Sequence, residues 1–181
     1  MRVLLLGDSQ LARLARYPLP VAREVINRAV GGANAHDLPQ QYADLDLAAF
    51  DAVLLGIGTN DAGTRPVPLA EFTAAVSEVV ARAGSTPVVL VASPGADARA
   101  TDYDDAHMAS YAAAARAVVE GAGGSFVDTP RLLAPLGRLG RMPDGIHVGK
   151  AAHLVYIPAL RRAARRAARQ TARSASRRAA S

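Results

Sequence analysis

The sequence contains no cysteine, and aromatic residues make up only 4% of it. Without cysteine there are no disulfides, no thiolate metal sites and no cysteine nucleophile. The four histidines, His36, His107, His147 and His153, show neither HxxxH spacing nor clustering with carboxylates, so no zinc or other metal site is expected. Long apolar runs are also missing. Val3 to Leu6 is four residues long, far short of a signal-peptide core, and nothing approaches the roughly 20 apolar residues of a spanning helix. A soluble, cytoplasmic protein with no integral membrane segment is therefore expected. Lysine occurs once, at Lys150, and arginine supplies the rest of the basic residues, a bias of GC-rich coding rather than a functional signal.

Half of the 181 residues are apolar, much of that alanine, which suffices for one domain with a full core. The net charge of +5 conceals a division of the chain. Residues 161–181 hold eight arginines (161, 162, 165, 166, 169, 173, 177 and 178) and no acid, leaving residues 1–160 with a net charge of −3. We therefore expect a mildly acidic domain over 1–160 and an Arg/Ala-rich extension over 161–181, helical or disordered.

Five short apolar runs read as strands buried on both faces: Val3–Leu6, Glu24–Asn27, Ala52–Leu55, Pro87–Val91 and Ser125–Val127. Helical patterns lie between them. Pro68 suits a helix start, Leu69, Phe72, Val76, Val79, Val80 and Ala83 form one face, and Gly84 closes it. Asp104 or Asp105 is a cap for a second helix facing the core through Met108, Tyr111, Ala115, Val118 and Val119. Alternating strands and helices predict an α/β fold with a five-stranded parallel sheet, whose sites lie at the carboxyl ends of the strands.

That edge is where the chemistry-bearing residues fall. Gly7-Asp8-Ser9 follows the first strand, Gly31-Gly32 the second and Gly58-Thr59-Asn60-Asp61 the third, while Asp144-Gly145-Ile146-His147 comes near the end. A serine hydroxyl needs a base to take its proton, and the base must itself be oriented. Asp144 and His147, three apart, are placed for the carboxylate to accept from Nδ1–H and leave Nε2 toward Ser9. A developing oxyanion needs fixed donors, and the Ser9 amide, a glycine amide and the Asn60 side chain are candidates. Asp8 and Asp61 read as turn or cap residues, and His153, on the last helix, as a neighbour of the site at most.

In this order the motifs resemble the SGNH subgroup of the GDSL esterases and lipases, over residues 1–160. The resemblance implies a three-layer α/β/α sandwich of flavodoxin-like type. It also implies a Ser9–His147–Asp144 triad and an oxyanion hole from Ser9 N–H, Gly32 N–H and Asn60, with Gly31 the alternative to Gly32. No cofactor is implied. Two positions depart from the common pattern: Gln10 stands where leucine or another apolar residue is usual, and Val148 where proline often follows the histidine. Little sequence is inserted between the motifs, so neither a lid nor a deep acyl tunnel is expected.

The resulting expectation is a metal-independent serine ester hydrolase working through an acyl-Ser9 intermediate on small short-chain or acetyl esters or thioesters. An acyltransferase to a sugar or other alcohol would use the same residues. A non-catalytic binding module, with the basic tail as its working part, is the alternative of another class, and the intact triad argues against it. A nucleotide binder is disfavoured because Gly7-Asp8-Ser9-Gln10 is too short and too acidic to cradle phosphate. The tail reads first as an extended, solvated helix, with packing against the sheet complete by about Leu160. Contact with anionic lipid or nucleic acid is the sharper alternative, though no aromatic side chain interleaves the arginines as a stacking platform. The segment Thr129–Pro143, with Leu132, Leu133, Leu136 and Leu139, reads equally as a pocket wall or as a helical turn packed on the sheet. The leaving group and the oligomeric state stay open.

Overall fold

In the computed structural model, five parallel strands form the central sheet: β1 (Arg2–Gly7), β2 (Glu24–Asn27), β3 (Ala52–Gly56), β4 (Val88–Val91) and β5 (Ser125–Val127). Among the described residues six α-helices accompany them: α1 (Ser9–Ala12), α2 (Leu38–Tyr42), α3 (Leu69–Ala83), α4 (Asp105–Gly121), α5 (Thr129–Leu133) and α6 (His153–Ala179). The structure describes residues 1–179. Residues 180 and 181, and the side chains of Ser174, Ala175 and residues 177–179, among them Arg177 and Arg178 of the basic tail, lie outside the description.

The strand order is β2-β1-β3-β4-β5, the doubly wound arrangement, and every neighbouring pair is parallel. Period-two alternation divides the strands between two cores. Leu4, Leu6, Val53 and Leu55 face Leu38, Tyr42, Phe72, Val76, Tyr111 and Val119 of α2, α3 and α4. Val3, Leu5, Leu54 and Val89 face Leu11, Leu133, Tyr156, Ile157 and Leu160 of α1, α5 and α6. This gives the three layers, and the five strands are those the apolar runs predict.

Helix boundaries follow their caps. Asp104 accepts from His107 N and starts α4, which settles the choice between Asp104 and Asp105. Gly84, with φ +57°, closes α3. Asp128 caps α5 by accepting from Arg131 N, and the chain then runs on in 3-10 turns, kinked at Gly137, to Gly140. Of this segment, Leu133 packs as expected, buried against α6, and Leu132 and Leu136 are partly buried beside it, whereas Leu139 is exposed.

One expectation is corrected. Packing does not stop near Leu160, because α6 continues through Pro158 and buries Ala164 and Ala167 against the second core. Alanine at those two positions lets the helix approach closely while the intervening arginines stay outside.

Candidate active site

The order 2-1-3 makes the carboxyl ends of β1 and β3 the point where connections diverge to opposite faces, and side chains after those strands open into a crevice there. Ser9 follows β1 and Asn60 follows β3. The turn that presents Ser9 depends on glycine. Gly7 has φ +128°, and a Cβ there would collide with the Gly56 carbonyl. Asp8 N then donates to that carbonyl at 2.8 Å, and Asp8 caps α1 by accepting from Gln10 N at 2.9 Å. Asp8 is fully buried, and burial is the chief cause that pushes its carboxyl up to about 6, against the pull of the Gln10 amide. Ser9, at the first helical position, keeps one of the amides that a helix start leaves without an internal partner.

The fourth motif occupies a hairpin. Met142 N donates to His147 O at 2.7 Å and Gly149 N to Gly140 O at 2.9 Å, with Arg141 bridged to Val148. At its tip Asp144 Oδ1 accepts from Ile146 N (3.1 Å) and His147 N (3.0 Å), while Oδ2 meets His147 Nδ1 at 2.8 Å. A carboxylate that folds its own turn thus fixes the imidazole. Gly145, φ +79°, has no room for a Cβ beside Asp97 and Ala100. Burial acts to raise the Asp144 pKa, but the hydrogen bonds from His147 and Ile146 outweigh it and hold the carboxyl below its ordinary range.

Across the crevice His147 Nε2 lies 2.8 Å from Ser9 Oγ, although 138 residues separate them in sequence. With Nδ1–H directed to Asp144, Nε2 is left as the acceptor for the serine proton. Serine, imidazole and carboxylate therefore form one hydrogen-bonded line.

Gly32 and Asn60 are brought to the same edge. Asn60 is buried and donates one Nδ2 proton to Ala33 O at 2.7 Å, which leaves the other for a ligand. Asp61 Oδ1 accepts from Ala35 N and its Oδ2 from Gly58 N, tying the second motif to the third, as expected of a loop residue. Gly32 has φ +78°, and its carbonyl accepts from Arg65, which is held in turn by Asp37 at 2.6 Å. Gly31 has no such conformation and lines a cleft of about 470 Å³ with Asn27, Gln40 and Arg65.

Arg65 escaped the sequence reading, as did Gln41. The buried Gln41 amide accepts from Gly7 N at 2.7 Å and donates to Gly7 O at 2.9 Å, closing off the end of β1. Nothing in the sequence flags it, because its partner is backbone 34 residues away. His153 is buried, stacks on Tyr17 at 3.7 Å and donates from Nδ1 to Gly149 O. Burial lowers its pKa, and its role is packing. His107 contacts Ala62 O and Tyr111, and His36 pairs with Glu71 on the surface. Ser93 accepts from Gly95 N within its own loop. A cavity of about 580 Å³, lined by Val80, Thr86, Val119 and Gln170, lies at the amino ends of β4 and β5, away from Ser9. Among the described residues no group of three or more His, Asp or Glu side chains is arranged to hold a metal ion. No described helix is long and apolar enough to cross a membrane.

Residues 6–155 match the GDSL-like lipase/acylhydrolase family, and the chain belongs to it. It is accordingly a serine ester hydrolase of that class. The fold is shared with the lipase/acylhydrolase from Enterococcus faecalis, at 21% identity, 90% coverage of this chain and 94% of the other, and TM-score 0.75. It is also shared with an α/β hydrolase enzyme from the metagenome of Lake Arreo, Spain, at 22% identity, 90% and 94% coverage and TM-score 0.69. A third similar structure is an acetylxylan esterase from Geobacillus stearothermophilus, at 19% identity, 90% and 93% coverage and TM-score 0.68. No curated protein sequence matches it significantly.

Proposed function

We propose that the protein hydrolyses small acetyl or short-chain acyl esters through an acyl-Ser9 intermediate. The observation that carries this reading is the line from Ser9 Oγ through His147 to Asp144, with both hydrogen bonds at 2.8 Å. Ser9 Oγ attacks the acyl carbon as its proton passes to His147 Nε2, and the imidazolium is stabilised by Asp144. The negative oxygen is received by the Ser9 and Gly32 amides and the remaining Asn60 proton. His147 returns the proton to the leaving alcohol or thiol. A water activated by the same imidazole then attacks the acyl group, releasing the acid and restoring Ser9.

The preference for short chains rests on the spare connections between motifs, which offer no inserted lid. The neighbouring acetylxylan esterase makes an acetylated sugar a natural substrate to test. The experiment is a panel of p-nitrophenyl esters from acetyl to palmitoyl, with an acetylated sugar and an acyl thioester, alongside fluorophosphonate labelling. Labelling is expected at Ser9, and Ser9→Ala is expected to abolish both labelling and turnover. Turnover by Ser9→Ala equal to that of the wild type overturns the mechanism. A rate maximum at dodecanoyl or longer overturns the short-chain assignment.

A further inference from the structure

Gln10 and Val148, the two positions that depart from the family's common pattern, touch each other. The Gln10 side chain is buried, donates from Nε2 to Ile146 O at 2.9 Å and accepts from Val148 N at 3.4 Å through Oε1. Its two bonds bracket His147, one residue on either side. The amide can be satisfied in only one orientation, because a carbonyl must accept and an N–H must donate. A proline at 148 would have no N–H to give, so the bracket needs both departures at once.

We propose that Gln10 is a positioning residue that sets the distance between the nucleophile and its base. An apolar side chain would fill the same buried site without any requirement for partners, whereas a buried amide is costly unless hydrogen-bonded. The amide is therefore hard to explain by core packing. Its effect is to tie the hairpin to α1 at the residue next to Ser9. Arg13, directly after α1, reaches Met142 Sδ from Nη1 at 3.5 Å, while further anchors come from a different quarter: Asp97 N donates to Gly145 O, and Arg141 donates to the Pro94 and Gly95 carbonyls. Those further anchors fix the hairpin to the loop after β4. Gln10 fixes it to the nucleophile. This inference rests on the proposed roles of Ser9 and His147.

The test is Gln10→Met, which preserves length and removes both bonds, measured on a soluble p-nitrophenyl ester. Misplacement of a reacting group by about 1 Å costs up to about 10²-fold. We expect kcat to fall by about that factor with KM nearly unchanged, and fluorophosphonate labelling of Ser9 to slow in parallel. In a His147→Ala background, where the oxyanion donors alone sustain a residual rate, Gln10→Met should cause no further loss. A folded Gln10→Met enzyme with wild-type kcat overturns the proposal. So does an equal loss in the His147→Ala background, which would place the effect on Ser9 or on the fold. Should the Met variant fail to fold, Gln10→Asn takes its place, since its amide is one methylene too short to span both groups. Ser9→Ala is assayed alongside: its retained activity breaks the underlying mechanism, whereas an inactive Ser9→Ala with an unaffected Gln10 variant breaks this proposal alone.

Discussion

The carboxyl edge of the sheet and the second half of α6 handle polar groups in opposite ways. At the edge, Asp8, Gln10, Gln41, Asn60 and Asp61 are buried, and each is hydrogen-bonded to backbone. In α6 the arginines at 162, 165, 166 and 169 stay exposed, and the helix is held by Ala164 and Ala167, packed against the second core. Buried polar groups have few satisfactory arrangements, so the edge has few alternative geometries. Exposed arginines have many, and only the small residues between them matter to the fold. Exactness of placement and abundance of charge are thus found in different regions.

The comparison can be broken most sharply at Asn60. Asn60→Ala is expected to lower kcat by about 10²–10³-fold with KM little changed, as for other side-chain oxyanion donors. A change confined to KM would assign Asn60 to substrate binding. Steady-state kinetics, with a thermal melt to exclude loss of its bond to Ala33 O, decides between them.

Next in size is the buried alanine of α6. Ala164→Leu must overfill a packed contact and should cost about 1–3 kcal/mol in chemical denaturation. The adjacent exposed Arg165→Ala should stay within about 0.5 kcal/mol. Equal effects at the two positions would mean that the helix is not seated as described.

A pH series sharpens the other side. Burial raises the Asp8 carboxyl to about 6 from an ordinary value of 3.8. Between those values the folded protein binds more protons than the unfolded one. The Asp8 contribution is therefore fully present below about 3.8, declines as pH rises toward about 6, and is flat above. Asp8→Asn keeps the acceptor for Gln10 N and should abolish that component of the decline in melting temperature. An unchanged pH profile would show that Asp8 is not its source.

The smallest effect is expected from truncation after Arg169. Ala167 is retained, so the melting temperature should move by only a few degrees and kcat/KM on a soluble ester should hold. Unfolding of the shortened chain would give the distal turns a packing role that the comparison denies them.

Composition and local pattern determined much of this protein by themselves. The five strands, the helix end at Gly84, a cap at Asp104 or Asp105, and the Asp144–His147 pair all follow from short-range rules, because apolar runs, capping side chains and i,i+3 spacing act within a few residues. The resemblance of the four motifs named Ser9, Gly32 and Asn60 as their companions. Only the tertiary structure decided what depends on partners far along the chain: the 2.8 Å approach of His147 to Ser9, the clamp of Gln41 on Gly7, the hold of Arg65 on Gly32 and the bracket of Gln10 about His147. It also carried the packing of α6 past Leu160 to Ala167, where a methyl group is enough to bury but too little to announce itself in a run of alanine and arginine. The physical reason is the same in each case: a buried amide or an alanine has no preferred partner until the sheet has brought one to it.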